Sequence, residues 1–155
     1  MSISDFTPSA TPPLTPETAA PIRPAQQPQL LGTRSCARLS VDTDRRAAER
    51  CSAFARTVLG PFLGDHPDPG PLVDNVVAVI TELVDVASRT TRRSTIVCVV
   101  EFDGSHFMVS VEEIHGRLPH PQDEPGLYLV HRVADEVGQH LGDHGGTVIW
   151  ASVPV

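Results

Sequence analysis

The chain has 155 residues and carries 12 Lys and Arg against 19 Asp and Glu, a formal net charge of −7. That length supports one domain with a sizeable core and excludes two large ones. The acidic balance argues against direct nucleic-acid binding, which needs Lys and Arg to displace counterions, and leaves docking on a basic patch of a protein partner open.

In chain order, the first segment is set apart by proline. Pro8, Pro12, Pro13, Pro16, Pro21, Pro24 and Pro28 alternate with Thr, Ser, Ala and Gln. Prolines at that density support neither a helix nor a central strand, and apolar residues are too few to offset the ordering entropy. Residues 1–32 are expected to form a disordered or polyproline-like tail, a linker or a ligand for an aromatic groove. No apolar run approaches the ~20 residues that cross a bilayer, and the first 30 residues lack a signal-peptide core, so the expectation is a soluble, cytoplasmic protein without a membrane partner.

Folded sequence is expected over 33–155. Cys36–Val41 alternates, with Ala37, Leu39 and Val41 on one side, and suits a first strand. Asp42 or Thr43 then caps a helix whose apolar positions Ala47, Cys51, Phe54 and Val58 recur at helical spacing until Gly60-Pro61. A second helix has Pro71 in its first turn and carries Leu72, Val76, Val79, Ile80, Leu83, Val84 and Ala87. Being apolar on nearly every face, it is expected at the centre of the core. Thr95–Phe102 and Phe107–Glu112 read as strands joined by an Asp103-Gly104 hairpin. An irregular loop over 114–125 precedes a third helix, with Leu129, Val130, Val133, Ala134 and Val137 on one face and Gly138 as its stop. Thr147–Val153 is the last strand. The order β-α-α-β-β-loop-α-β gives a two-layer α/β sandwich, with helices on one face of a mixed, mostly antiparallel sheet. Cys36, Cys51 and Cys98 show no CxxC spacing and read as reduced thiols serving as small hydrophobes.

Three features carry a resemblance: the element order itself, Thr81-Glu82-Leu83-Val84 in the central helix, and Gly145-Gly146-Thr147-Val148-Ile149-Trp150 at the end. Together they resemble the ATPase domain of anti-sigma factors, within the histidine-kinase, Hsp90 and gyrase superfamily (the Bergerat fold), over residues 34–155. The resemblance implies that Glu82 orients the phospho-acceptor hydroxyl of a protein serine kinase, with ATP and Mg²⁺ as cofactors. It also implies an Asn one turn later as the metal ligand, where this chain has Val86; Asp85, an oxygen donor at i+3, is rotated away by about 100°. The adenine-binding carboxylate falls on Glu113, and its accompanying glycine on Gly116 with a shifted turn. Of the glycine-rich phosphate loop, Gly126 and Leu127 remain, but Glu124 replaces the first glycine and Pro125 withholds an N–H. These departures imply a degenerate ATP site without bound cofactor. They favour a regulatory protein that acts by binding a sigma factor or an anti-anti-sigma partner, with an active serine kinase as the alternative and a scaffold sharing only the fold as a third class. The resemblance further implies a homodimer through residues around Cys36–Phe54.

Two other chemistries receive less support. His106, His115, His120, His131, His140 and His144 include one pair at usable metal spacing, His140 and His144, but no third ligand is fixed by spacing. No Gly-x-Ser-x-Gly elbow supports serine-nucleophile catalysis. Arg89, Arg92 and Arg93 cluster where cations complement a helix C-terminus.

Overall fold

The computed structural model describes residues 34–115 and 117–155; the Pro-rich segment and Gly116 lie outside the described residues. Eight elements follow one another: β1 (Ser35–Asp42), α1 (Ala47–Leu63), α2 (Pro69–Thr90), β2 (Thr95–Phe102), β3 (His106–Ile114), α3 (Pro125–Val133), β4 (Glu136–Leu141) and β5 (Thr147–Pro154). The strands form one sheet in the order β1-β2-β3-β5-β4, with each of the four pairings antiparallel. The three helices cover one face, giving the two-layer α/β sandwich read from the sequence.

The core lies between α2 and the middle of the sheet. Val76, Val79, Ile80, Leu83, Val84 and Ala87 of α2 are fully buried, against Cys98, Val100, Phe107, Val109, Val111, Ile149 and Ala151 on β2, β3 and β5. Residues i, i+2 and i+4 of a strand share a face, so the inner set is read directly from the alternation. Helix α1 contributes a stripe at i, i+4 spacing, Cys51, Ala55, Leu59 and Leu63, one step round from the Phe54 and Val58 expected. It continues through Gly60-Pro61, because Pro61 removes only one N–H, and ends where Gly64 adopts φ 52°. Neither Asp42 nor Thr43 caps it; the residue before its first turn is Arg46, without a side-chain cap, and Asp44 shapes the preceding turn, its Oδ1 accepting from the Arg46 N–H at 2.8 Å and its backbone oxygen from the Ala47 N–H at 3.1 Å.

The third helix departs most from the sequence reading. It stops at Val133, Ala134 is already extended, and Val137 and Gly138 belong to the edge strand β4. Leu127 and Val130 face the core, whereas Leu129 is exposed. Gly138 is there for packing rather than as a helix stop: it pairs with Trp150, and a Cβ on it would come within 2.6 Å of the indole Cζ2. A bare backbone on one strand thus seats the aromatic ring of its neighbour. The cysteines divide as well. Cys51 and Cys98 are buried in the core as expected, but Cys36 is exposed because it lies on the sheet face that the helices leave open.

Candidate functional site

The residues singled out in the sequence converge where the C-terminal half of α2 meets the start of α3. Glu82, Asp85, Val86 and Arg89 stand at i, i+3, i+4 and i+7 of α2, one broad face at whose edges the adjacent Asp85 and Val86 point about 100° apart. Val86 turns inward and is 1% exposed, part of the hydrophobic core, with no atom able to hold a metal ion. Asp85 turns outward and receives the Arg89 Nε at 3.0 Å.

Arg89 is the hub. Its Nη1 and Nη2 donate to Glu124 Oε1 and Oε2 at 3.1 and 3.0 Å, a fork-to-fork pair that binds α2 to the residue capping α3. The Glu124 carboxylate, gripped by this guanidinium, lies below its ordinary range. Arg89 is held more firmly protonated by Glu124 and then Asp85. Sequence reasoning gave Glu124 the role of repelling phosphate; in the folded chain its charge is matched by Arg89, and Arg89 is itself engaged by two carboxylates.

Glu82 completes the cluster. Pro125 and Gly126 are the first two residues of α3, and a Cβ on Gly126 would overlap the Glu82 carboxyl group. Gly126 therefore admits a side chain of this chain against the helix N-terminus, the position where the phosphate-loop reading puts an anion. Burial pushes the Glu82 carboxyl up, Asp85 and Glu124 add to the rise, and Arg89 opposes it. Asp85 and Glu124 bond this guanidinium and Glu82 lies beside them, so carboxylates outnumber it here before any ligand arrives.

The remaining sequence candidates are placed as follows. Leu127 is fully buried beneath the same helix turn, and Leu118 packs on the core from the preceding loop, its N–H donating to Gln139 Oε1 at 2.7 Å. Glu113 sits in β3 within a register shift between Val111 and Ile114, and its side chain, like Gly116, lies outside the described residues. Among the described residues no group of three His, Cys, Asp or Glu is arranged to hold a metal ion, and no helix is long and apolar enough to cross a membrane. His106 instead bridges Ser105 Oγ at 2.9 Å and Asp135 Oδ2 at 3.0 Å. The sequence reading missed the bridging role of Arg89. Its spacing from Asp85, i to i+4, was a usable signal for half of it; the contact with Glu124, 35 residues away, was not.

No family model matches the chain, and no curated protein matches it. Among solved structures it is similar to the RsbU and RsbW domains of Rv1364c from Mycobacterium tuberculosis, with a TM-score of 0.56 and 22% identity over 77% of this chain. The likeness is one of fold, the two-layer α/β sandwich described above. The match spans 32% of that chain, about a third of its length.

Proposed function

We propose that this chain is a regulatory protein of the anti-sigma type that works by binding a protein partner, a sigma factor or an anti-anti-sigma factor, through an ATPase-type domain whose nucleotide site has lost its chemistry. The observation that carries this reading is the Arg89–Glu124 fork with the Glu82 carboxylate laid against Gly126. Phosphoryl transfer rests on charge neutralisation and positioning of the phosphates. Here the Arg89 guanidinium is committed to carboxylates, Val86 is buried in the core and supplies no metal ligand, and Pro125 offers no N–H. These residues do not fit Mg-ATP.

Similarity to a structure holding an RsbW domain supports the choice of partner class. The homodimer through residues around Cys36–Phe54 belongs to the same reading, since β1 is an edge strand of the sheet. The second reading, an active serine kinase, draws on one observation: Glu82 is retained, and its carboxyl is raised toward the range of a general base. The test is to titrate the full chain against purified sigma-factor and anti-anti-sigma domains with and without Mg-ATP. Binding that is indifferent to nucleotide supports the regulatory reading. Transfer of phosphate to a partner serine would install the kinase in its place.

A further inference from the structure

The sheet face turned away from the helices has no described element packed on it. A groove of about 660 Å³ runs there over Met108, Val148 and Trp150. Through Glu101 and Met108 it continues into a groove of about 490 Å³. Trp150 is half-buried, and its ring leans toward β4: a Cβ on Gly138, its neighbour there, would lie 2.6, 2.8 and 3.2 Å from the indole Cζ2, Cε2 and Nε1. Charge is unevenly shared on this face. Among the described residues, Glu101, Glu112 and Asp143 line the first groove with one arginine, Arg38. In the second, Asp103, Asp135 and Glu136 join Glu101, again with one arginine, Arg34.

Several of these acids are already engaged. Glu112 pairs with Arg38 at 2.7 Å, Asp103 accepts the Ser105 and His106 N–H groups at 2.8 Å each, and Asp135 bonds His106 Nε2 at 3.0 Å. The side chains of Glu101 and Glu136 are exposed and have no such partner among the described residues. They lie in one row across the sheet: Glu101 pairs with Met108, Met108 with Ser152, and Ser152 with Glu136. Three strand spacings put their Cα atoms roughly 14 Å apart. Glu136 and Gly138 are i and i+2 on β4 and share a face, so the indole leaning over Gly138 comes beside Glu136. The row reads carboxylate, thioether, hydroxyl, carboxylate, with an aromatic ring at its Glu136 end.

We propose that this face docks a basic, extended segment of a partner protein, with arginines at i and i+4 paired to Glu101 and Glu136 and an apolar residue at i+2 over Met108. The spacing selects the segment: in an extended chain i, i+2 and i+4 share a side, and i to i+4 spans about 13 Å. Arginine suits the Glu136 end better than lysine, because a planar guanidinium pairs with a carboxylate and stacks on an indole at once. An apolar, aromatic floor inside a polar rim has the anatomy of a protein interface. The acidic walls draw a basic partner and turn away an acidic one, in keeping with a chain of net charge −7. The nucleotide cluster lies on the other side of the sheet, so the inference does not rest on it, nor on the partner's being a sigma factor.

Trp150 is the only tryptophan in the chain, so its emission reports on this face alone. The probe is a blocked five-residue peptide with arginine at both ends, leucine at the centre and alanine between, titrated into the full chain. A saturable emission shift is expected, weakened by added salt and absent when glutamate replaces the peptide's arginines. Glu101→Gln and Glu136→Gln, checked by far-UV circular dichroism, should each weaken binding about two- to fivefold, the range of an exposed ion pair. The pair Glu49→Gln and Asp65→Asn removes two exposed charges from α1 and the turn after it, on the helix side, and should leave the affinity unchanged. Equal affinity in wild type and the Glu101 and Glu136 variants, equal weakening by the control pair, or no saturable shift with the arginine peptide would overturn the proposal. Emission that moves with protein concentration alone would assign the face to a second copy and overturn it equally. None of these failures bears on the titration with sigma-factor and anti-anti-sigma domains.

Discussion

Helix α2 carries two regions built on opposite principles. Its inner face, Val76, Val79, Ile80, Leu83 and Ala87, is apolar, fully buried and packed on the sheet. Its far end toward α3 holds Glu82, Asp85 and Arg89, partly exposed, with Arg89 paired to Asp85 and to Glu124. The first region specifies the fold by volume, and any side chains of similar shape would serve it. The second depends on particular atoms, and there the chain departs from the pattern its element order suggests. Val86 marks the border: a position that the resemblance gives to metal chemistry has joined the core.

The largest expected effect is on the inner face. Ile80→Ala and Leu83→Ala should each cost about 2–5 kcal/mol in denaturant unfolding, since both side chains are fully buried and the sheet cannot close the gap. Tolerance of both would dissolve the distinction between the two regions. Val86→Asn comes next. Burying an amide without a partner should cost roughly 1–3 kcal/mol in the same measurement. A neutral outcome would mean that the position is polar-tolerant and closer to a ligand site than to the core.

How far each region was legible in the sequence follows from the same contrast. Periodicity reveals α2 because nearly every turn repeats the apolar stripe, and Asp103-Gly104 reveals the hairpin because Gly104 takes φ 98°. Strand β4 was not legible, because Gly138 reads locally as a helix stop and only its cross-strand neighbour Trp150 shows why it is there. At the site, Val86, Glu124 and Pro125 were visible as departures, one residue at a time. What they do together depends on Arg89 reaching across 35 positions, which no local pattern encodes. Glu113 was legible only as a place on β3, since its side chain lies outside the described residues.

Smaller effects sharpen the polar region. The Glu82 carboxyl is raised by burial, so the folded chain holds its proton more tightly than the unfolded chain does, and ionisation at neutral pH opposes folding. Glu82→Gln should therefore be at least as stable as wild type at pH 7, and the difference should shrink as pH falls below the ordinary carboxylate range. Glu124, lowered by Arg89, works in the other direction: its contribution is present above its unfolded value and lost as pH falls through the lowered one. Melting curves from neutral to acidic pH separate the two; a Glu82→Gln variant less stable than wild type at pH 7 would contradict the assigned sign. Arg89→Ala should change global stability least, because exposed pairs contribute little. It should speed hydrogen exchange of the α3 amides while leaving those of the central strands unchanged. Equal protection of α3 in both proteins would show that the fork does not anchor the helix.

The central claim is that the polar end of α2 is closed to nucleotide by the chain's own side chains. Calorimetric titration of the full chain with ATP, with and without Mg²⁺, tests it most directly. The account predicts no saturable heat below the millimolar range and no gain from Mg²⁺, because Val86 supplies no ligand and Arg89 is already engaged. A Mg²⁺-dependent dissociation constant in the low micromolar range would contradict it, and would mean that Arg89 releases Glu124 to take the phosphates instead.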